Sequence, residues 1–490
     1  MTDSQQAQSA PSRAAEEPFV WTGRHTLILV VICAASILDT IDISALNVAL
    51  PTIKAELGFT EASLSWVVNG YLVTFGGFLL LCGRAGDVFG HRRVLLAGLA
   101  VFGVASAVAG VTGDANTLIA MRALQGIGAA MITPMTLALV ARSFPEGPRA
   151  KAIAVWGMAN ALSGFLALVL GGLLTVGPGW RWIFFINVPL SLLIIVGTLI
   201  WLDRDRSTER RKRLDVVGAV VVTLGMSLLT IGIVQAGQVG WGSRATIVPL
   251  VLGVVFVAYF VLHEGRLAKD PMLPFSLLRI PTVAGANLTQ ALVGAGMFVL
   301  TYVATLYQQD VLHYNALQTG LGYIPQTVVL LAAAQQTPKL VAKLGVRVTV
   351  MIGSVLVMVG LGSFAFAGPD GSYLVNILGP YIAIGVGMAL TFLPLSLAAG
   401  MGVPDERQGV ASSLINVSRV SGGALGLSVV AAVATSYTAN RLDAGTPEVT
   451  ALTDGFSLGF IVAAGLLLVS VFTAMLLPRK PVDVPAEAAK

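Results

Sequence analysis

The chain has 490 residues, of which 56% are hydrophobic and 11% are charged, and its mean hydropathy is +0.83. Soluble domains carry about 25% charged residues, so this composition excludes an ordinary soluble enzyme. The net charge of +5 does not indicate nucleic-acid binding, because the basic residues stand between apolar runs rather than together on one soluble face.

Fourteen apolar runs follow one another along the chain, each near the length of about 20 residues that a membrane-spanning helix needs. They cover residues 26–49, 62–82, 94–112, 116–141, 152–175, 183–202, 216–236, 245–263, 283–307, 320–341, 347–367, 373–398, 408–435 and 455–477. The sequence therefore predicts an all-α, polytopic membrane protein with fourteen transmembrane helices.

A faint internal repeat predicts how these helices are grouped. The segment Gly83–Arg92 and the segment Pro338–Arg347 both place a Gly-x-Arg turn after a predicted span, and Gly164 and Gly422 align in a second pair of spans. Two parallel six-helix bundles with two additional helices between them explain this offset. The predicted boundaries are an N-terminal tail 1–24, a first bundle 25–202, a basic loop 203–215, two extra helices 216–263, a loop 264–282, a second bundle 283–478 and a C-terminal tail 479–490.

The distribution of Lys and Arg predicts the orientation. If the N-terminus is cytoplasmic, 24 of the 30 basic residues fall on the cytoplasmic side, including the run 210–213. Such an excess marks cytoplasmic loops. Residues 1–23 are polar and contain no apolar segment of the kind found in a cleaved signal peptide. We expect a multi-pass protein of the cell membrane with both termini in the cytoplasm.

Asp39 and Asp42 lie in the middle of the first predicted span, on roughly one helix face. A carboxylate at the bilayer centre costs about 2.5 to 3.5 kcal/mol on insertion scales, so it needs water, a partner or a proton. One interpretation is a proton-coupling site, with Asp42 favoured over Asp39. The other is a structural hydrogen bond to neighbouring helices.

Arg122 is the basic residue of the fourth predicted span, and Gln125 follows it on an otherwise apolar helix. An intramembrane arginine faces a polar cavity or a carboxylate. Arg122 either balances the charge of the first-span carboxylates as they titrate or binds backbone carbonyl groups in a structural role. The two interpretations have equal weight.

The turn between the second and third predicted spans contains Gly83, Asp87, Gly90 and Arg92. Glycine permits a positive φ angle and aspartate can cap a helix, so the turn is expected to have a defined shape. We interpret it as a gating latch on the cytoplasmic face. The alternative is a charged turn that only sets the topology.

Gly157, Gly164 and Gly171 recur every seven residues along the fifth span and form a smooth stripe for helix packing. The stripe is either a fixed seam or a sliding surface. Side chains that suit an amphipathic substrate cavity are also present, although ordinary core or interface packing is the favoured interpretation for any single one of them. These candidates are Trp66, Tyr71, Gln125, Asn160, Gln290 and Gln326.

The sequence contains no P-loop, no HExxH motif and no His/Cys cluster with metal-ligand spacing. We therefore expect no cofactor, no metal and no enzymatic activity, and an ion gradient as the source of energy. The expected partners are a small-molecule substrate, protons and the lipid bilayer, without nucleic acid, and a monomer is expected.

Several motifs together resemble the major facilitator superfamily, in particular its fourteen-helix drug:proton antiporter branch. Asp42–Pro51 is similar to the branch signature D-x-T-x-x-N-V-A-L-P, and Arg122–Gly126 is similar to the fourth-helix motif R-x-x-Q-G. Gly83–Arg93 resembles the superfamily's loop-two signature. Two further branch markers are matched by Trp180–Pro189 and Leu214–Gly218. The resemblance covers about residues 25–478.

This resemblance implies two bundles around a central cavity, alternating access, and export of amphipathic, often cationic compounds in exchange for protons. It implies that Asp42 is the titrating carboxylate, Arg122 its relay partner, and Asp87 with Arg92 the latch. The chain departs from the pattern at Ala167-Leu168, where the fifth-helix signature of antiporters has Gly-Pro.

Three functions are therefore open. Proton-driven export of a drug or antibiotic is favoured. The missing Gly-Pro motivates a second hypothesis, a proton-coupled uptake symporter. The third, a sensor or scaffold that moves no substrate, is disfavoured because Asp42, Arg122 and Asn160 are retained.

Overall fold

The computed structural model describes residues 21–205, 215–268, 276–403 and 408–479. Within these ranges the chain forms fifteen α-helices and no β-strand. The first seven helices are α1 (Gly23–Leu57), α2 (Glu61–Phe89), α3 (His91–Val111), α4 (Ala115–Ser143), α5 (Glu146–Val176), α6 (Arg181–Phe185) and α7 (Asn187–Trp201). They are followed by α8 (Val216–Val239), α9 (Arg244–Leu262), α10 (Pro281–Leu306), α11 (Ala316–Gly322), α12 (Ile324–Phe364), α13 (Leu378–Gly400), α14 (Gln408–Asp443) and α15 (Glu448–Thr473).

These helices confirm the prediction of an all-α membrane protein. In the described ranges, eleven helical segments are long and apolar enough to cross a membrane, or twelve if α2, bent by 49°, counts as one span. Helix α12 changes direction at Gly345, whose φ of 81° and ψ of 165° are not helical. This break lies between the tenth and eleventh predicted runs. The helices are thus compatible with fourteen spans, although that count stays a prediction.

Polar residues at the helix starts explain several of the boundaries. The side chain of Thr60 accepts a hydrogen bond from the backbone N–H of Ser63, 3.1 Å away, at the start of α2. Asp114 caps α4 in the same way, through the N–H of Thr117 at 2.7 Å. The backbone N–H of Thr117, with its hydroxyl, holds the pKa of the Asp114 carboxyl below its ordinary value. Such caps satisfy N–H groups that have no partner within the helix.

Two glycine turns show the same local arrangement in both parts of the chain. Gly90 (φ 100°) precedes Arg92, whose Nε donates to the carbonyl oxygen of Thr198 near the end of α7, 3.2 Å away. Gly345 (φ 81°) precedes Arg347, whose Nε donates to Leu477 O after α15, 2.7 Å away. Each arginine therefore binds the end of the sixth span of its own half, as an internal repeat predicts.

The extra helices α8 and α9 pack against each other, and α8 also packs against α2 and α14. This position between the two bundles agrees with their predicted insertion. The domain boundaries themselves stay a prediction, because residues 1–20, 206–214, 269–275, 404–407 and 480–490 lie outside the described ranges. The basic run 210–213 is among them.

The two halves meet at the end of the bundle where α1 finishes, which we call the Leu57 end. A Cβ atom placed on Gly172 of α5 would lie 2.7 Å from the carbonyl oxygen of Ala316 in α11, so the two backbones are in direct contact there. Gln309 donates to the carbonyl oxygen of Val48, 2.8 Å away. At the opposite end, which we call the Gly90 end, α5 leaves open space beside Gly157.

Candidate functional site

A buried ion pair joins α1 to α4. The Nη1 atom of Arg122 lies 2.5 Å from Oδ2 of Asp42, and the two side chains are 1% and 0% exposed. Removing one partner of such a pair leaves an uncompensated buried charge and costs about 3 to 5 kcal/mol. The structure therefore brings together the two residues that the sequence placed in the proton-coupling site.

The second oxygen of Asp42 accepts hydrogen bonds from two amide side chains. Asn187 of α7 donates from Nδ2 at 2.6 Å, and Gln125 of α4 donates from Nε2 at 3.2 Å. Gln125 also donates to the hydroxyl oxygen of Ser106 in α3, 2.7 Å away. All groups that reach the Asp42 carboxylate from these neighbours are hydrogen-bond donors.

Arg122 is held by more than its carboxylate. Its Nε donates to the backbone carbonyl of Val67 at 3.0 Å, and Nη1 donates to Oε1 of Gln125 at 2.8 Å. The guanidinium carbon lies 4.6 Å from the centre of the Tyr71 ring, in a cation–π contact. Arg122 thus binds a carboxylate and a backbone carbonyl group at the same time. Its role in balancing the charge of the first-span carboxylates stays a prediction.

Asp39 occupies a separate position on α1. Its carboxylate accepts hydrogen bonds from the hydroxyl of Tyr71 and, at 3.1 Å, from the hydroxyl of Thr133 in α4. Asp39 is partly exposed, unlike Asp42. Tyr71 therefore connects the two carboxylates, because its hydroxyl binds Asp39 and its ring covers the arginine that binds Asp42.

The six predicted cavity residues fall into two groups according to their hydrogen bonds. Tyr71 and Gln125 are fully buried and belong to the carboxylate network. Asn160 accepts a hydrogen bond from the Ser36 hydroxyl at 2.7 Å and donates to the carbonyl oxygen of Trp156 at 2.8 Å. These three side chains are therefore fixed by protein partners.

The other three cavity candidates keep polar atoms that the protein does not bind. Gln290 and Gln326 are buried, and the Oε1 atom of each has no hydrogen-bond partner among the described residues. Gln326 makes a 3.6 Å contact from Nε2 to the sulfur of Met388. Trp66 is partly buried. Their role in substrate binding stays a prediction.

The turn at Gly90 has a defined shape, as the sequence predicts. The carboxylate of Asp205, which follows α7, accepts the backbone N–H groups of Arg92 at 3.3 Å and Arg93 at 3.2 Å. A Cβ atom on Gly90 would lie 2.3 Å from Oδ2 of Asp205. Glycine is therefore required both for the positive φ angle and for the space that Asp205 occupies.

The latch residues contact their own half of the chain. Arg92 donates from Nη2 to the carbonyl oxygen of Leu199 at 2.9 Å. The Oδ1 atom of Asp87 lies 3.4 Å from Nε2 of His91. Gly83 faces Pro134 of α4. In this conformation the hydrogen bonds found for Arg92 stay within the first half. A latch that joins the two halves would therefore require a different conformation.

The three glycines of the α5 stripe differ in their surroundings. A Cβ atom on Gly171 would lie 2.4 Å from the carbonyl oxygen of Ala45 in α1, so the two backbones are in contact. Gly157 and Gly164, in contrast, have open space around the Cβ position. Of the three stripe glycines, Gly171 alone therefore lies in a tight contact between helices, although α5 also binds α1 through the hydrogen bond between Ser36 and Asn160.

Four site residues were not identified from the sequence: Ser106, Thr133, Asn187 and Asp205. Asn187 had a signal, since it lies in the segment Trp180–Pro189 that resembles a branch marker. Ser106 and Asp205 are single polar residues in a span and at the end of a span, and only the packing of α3 and α7 brings them to the site.

An apolar helical bundle with two like halves and a buried carboxylate–guanidinium network defines a secondary membrane transporter. The family comparison is more specific: the family described as the Major Facilitator Superfamily matches residues 32–427. The chain belongs to this superfamily. It is thus a multi-pass transporter and not an enzyme.

Curated relatives cover nearly the same length. The cephamycin export protein CmcT of Amycolatopsis lactamdurans is 38% identical over 85% of this chain and 86% of its own. The puromycin resistance protein pur8 of Streptomyces alboniger is 34% identical over 96% of this chain and 93% of its own. Among solved structures, an auto-inhibited POT family peptide transporter matches with a TM-score of 0.67 and 15% identity, over 94% of this chain and 99% of its own. The last match supports the fold alone.

Proposed function

We propose that this transporter exports small amphipathic drugs or antibiotics, cationic ones included, in exchange for protons by alternating access. The observation that carries the proposal is the buried contact between Asp42 and Arg122. The relatives named for cephamycin export and puromycin resistance support the direction and the kind of substrate.

The geometry suggests how a proton can be coupled to movement. Asp42 receives donors from α4 and α7, and Ser106 of α3 binds the same network, so one carboxylate ties four helices together. A proton on Asp42 removes its negative charge and leaves the donors of Arg122 and Asn187 without their full acceptor. Because an unpaired buried charge is costly, protonation favours a different packing of α1 against these helices.

The contacts between the halves indicate which end is closed. The backbones of α5 and α11 touch at the Leu57 end, whereas α5 leaves open space at the Gly90 end. With the predicted cytoplasmic termini and the central cavity that the family resemblance implies, the open end faces the cytoplasm. We propose that this conformation receives substrate from inside the cell, and that the transporter works as a monomer.

Inside-out membrane vesicles test the proposal, with radiolabelled puromycin as the probe. An acidified lumen should drive puromycin into the vesicles for wild type, and Asp42→Asn should abolish this accumulation while the protein still reaches the membrane. The matched control is Asp370→Asn, which changes an exposed loop carboxylate and should behave as wild type. Full activity of Asp42→Asn contradicts the proton role. Puromycin extrusion from preloaded vesicles under the same gradient favours the symporter hypothesis instead.

A further inference from the structure

Arg419 stands where the second half of the chain meets the first. A Cβ atom on Gly294 of α10 would lie 2.3 Å from the backbone oxygen of Arg419, so α10 and α14 are in contact at this level. Two residues further along α14, the Ser421 hydroxyl oxygen would lie 3.1 Å from a Cβ atom on Gly76 of α2. Asn69 of α2 donates to Ser428 at 3.0 Å and fixes the same interface.

The guanidinium group of Arg419 is not used by the protein. Among the described residues it forms no hydrogen bond and no ion pair, whereas Arg122 is bound by a carboxylate, an amide and a backbone carbonyl. Arg419 is only partly buried. An intramembrane arginine almost always faces a polar cavity or a partner, so we place its guanidinium at the central space between the halves.

Asp39 is the carboxylate whose charge acts on Arg419. Asp39 is bound by Tyr71 of α2, and α2 is the helix against which α14 packs two residues beyond Arg419. Its own hydrogen-bond partners, Tyr71 and Thr133, are both neutral, and in the described part of the chain no basic nitrogen lies within ion-pair distance of it. The two halves thus present opposite charges to each other without joining them. Gln290, on the same face of α10 as Gly294, adds a buried carbonyl oxygen that lacks a partner at about the level of Arg419.

We propose that the central cavity binds zwitterionic amphiphiles, with the substrate's carboxylate on Arg419 and its ammonium group on Asp39. A planar guanidinium matches a carboxylate with two parallel hydrogen bonds, and Asp39 offers acceptor oxygens to an ammonium group. A ligand with both groups neutralises both protein charges at once. This inference rests on the proposed export function, because it names the class of substrate that is exported. Its test measures equilibrium binding and not transport.

Three related probes separate the two charges. Cephalexin carries an ammonium group and a carboxylate, its methyl ester carries the ammonium group alone, and N-acetylcephalexin carries the carboxylate alone. Binding to the purified, full-length transporter in lipid nanodiscs is measured by equilibrium dialysis. Wild type should bind cephalexin at least about tenfold more tightly than either derivative, because each charged hydrogen bond contributes more than one decade of affinity.

Variants assign each end of the probe. Arg419→Gln should weaken cephalexin and N-acetylcephalexin by about tenfold and leave the methyl ester unchanged. Asp39→Asn should weaken cephalexin and the methyl ester and leave N-acetylcephalexin unchanged. Arg419→Lys should keep part of the preference for cephalexin over its methyl ester. Because it keeps the positive charge, it also provides a second variant if Arg419→Gln fails to fold. Arg244→Gln, at an exposed helix start, is the matched control and should bind all three probes as wild type does.

The inference is wrong if wild type binds none of the probes or binds the ester as tightly as cephalexin. It is also wrong if Arg419→Gln weakens all three equally, which is the result expected when Arg419 only closes onto Asp39 in another conformation. Retained probe selectivity in a protein without proton-driven accumulation overturns the export proposal but not this inference. Normal accumulation of puromycin without probe selectivity overturns this inference but not the export proposal.

Discussion

Asn187 donates a hydrogen bond of 2.6 Å to the carboxylate of Asp42 and thereby links α7 to α1. The asparagine is fully buried and begins its helix directly after a break at Ile186. The same amide nitrogen lies 3.5 Å from the Ser106 hydroxyl. One side chain of the sixth span therefore connects the Asp42 carboxylate to α3 as well.

Asn187→Ala should lower both stability and transport. The substitution removes a charge-assisted hydrogen bond to a buried carboxylate, which costs about 1.5 to 3 kcal/mol. The measurements are thermal unfolding in detergent and puromycin accumulation in vesicles. Asn116→Ala is the control, because Asn116 is exposed in the first turn of α4. Unchanged unfolding of Asn187→Ala would show that the amide contributes no net stability to the network.

Arg122→Gln should destabilise the fold by about 3 to 5 kcal/mol, since it leaves Asp42 as an unpaired buried charge. The double variant Asp42→Asn with Arg122→Gln should recover much of this loss, because no net charge stays buried. Transport should be absent in both. Thermal unfolding and vesicle transport together check the prediction, and equal unfolding of the single and double variants would contradict the pairing energy.

Gly90→Ala should destabilise the turn through two separate effects. The positive φ of 100° strains any L-residue by about 1 to 3 kcal/mol, and the new Cβ would also meet Asp205. Gly179→Ala is a matched control, since Gly179 has a φ of 105° but open space at its Cβ position. Gly90→Ala should therefore lower the unfolding temperature more than Gly179→Ala does.

Asp205→Ala tests the steric contact between Asp205 and a Cβ atom at position 90 by removing the Asp205 carboxylate. The single variant removes the cap of α3 and should cost about 1 kcal/mol. In the Gly90→Ala background the same change also relieves the contact with the new Cβ, so its cost should shrink or change sign. Strictly additive effects on the unfolding temperature would show that the two residues do not compete for space.

The sequence was sufficient for the fold class because hydrophobic runs and Gly-x-Arg turns are local signals. Gly90 and Gly345 both have positive φ angles, as their place in repeated turns predicts. The break of α12 at Gly345 lies between the tenth and eleventh predicted runs, although the helix continues through Pro338. Which α-helices meet at the Leu57 end is a property of the conformation and has no local signal.

For the site, the sequence indicated charges that cannot remain in a bilayer without a partner, and Asp42 and Arg122 are joined as that argument requires. It could not assign neutral partners, since Ser106 resembles any small polar residue of a span. Gln125 was expected in the cavity but binds the Asp42 network, because its amide can both donate to the carboxylate and accept from Arg122.

The glycine stripe of α5 provides a test of alternating access. Gly171→Ala should destabilise the protein by about 1 to 3 kcal/mol, because the methyl group would lie 2.4 Å from the Ala45 oxygen. Gly164→Ala should be neutral or slightly stabilising, since its Cβ position is open and alanine favours a helix. Thermal unfolding measures both.

Larger residues at the open positions separate a sliding surface from unused space. Gly164→Leu and Gly157→Leu should fold as wild type does, because the described neighbours leave room for them. If α5 closes against the other half when the Gly90 end shuts, these side chains then block the closed state. Puromycin binding should survive and proton-driven accumulation should be lost, a combination that follows when one of the two access states is prevented. Normal accumulation in both variants would instead mean that α5 keeps its distance throughout the cycle.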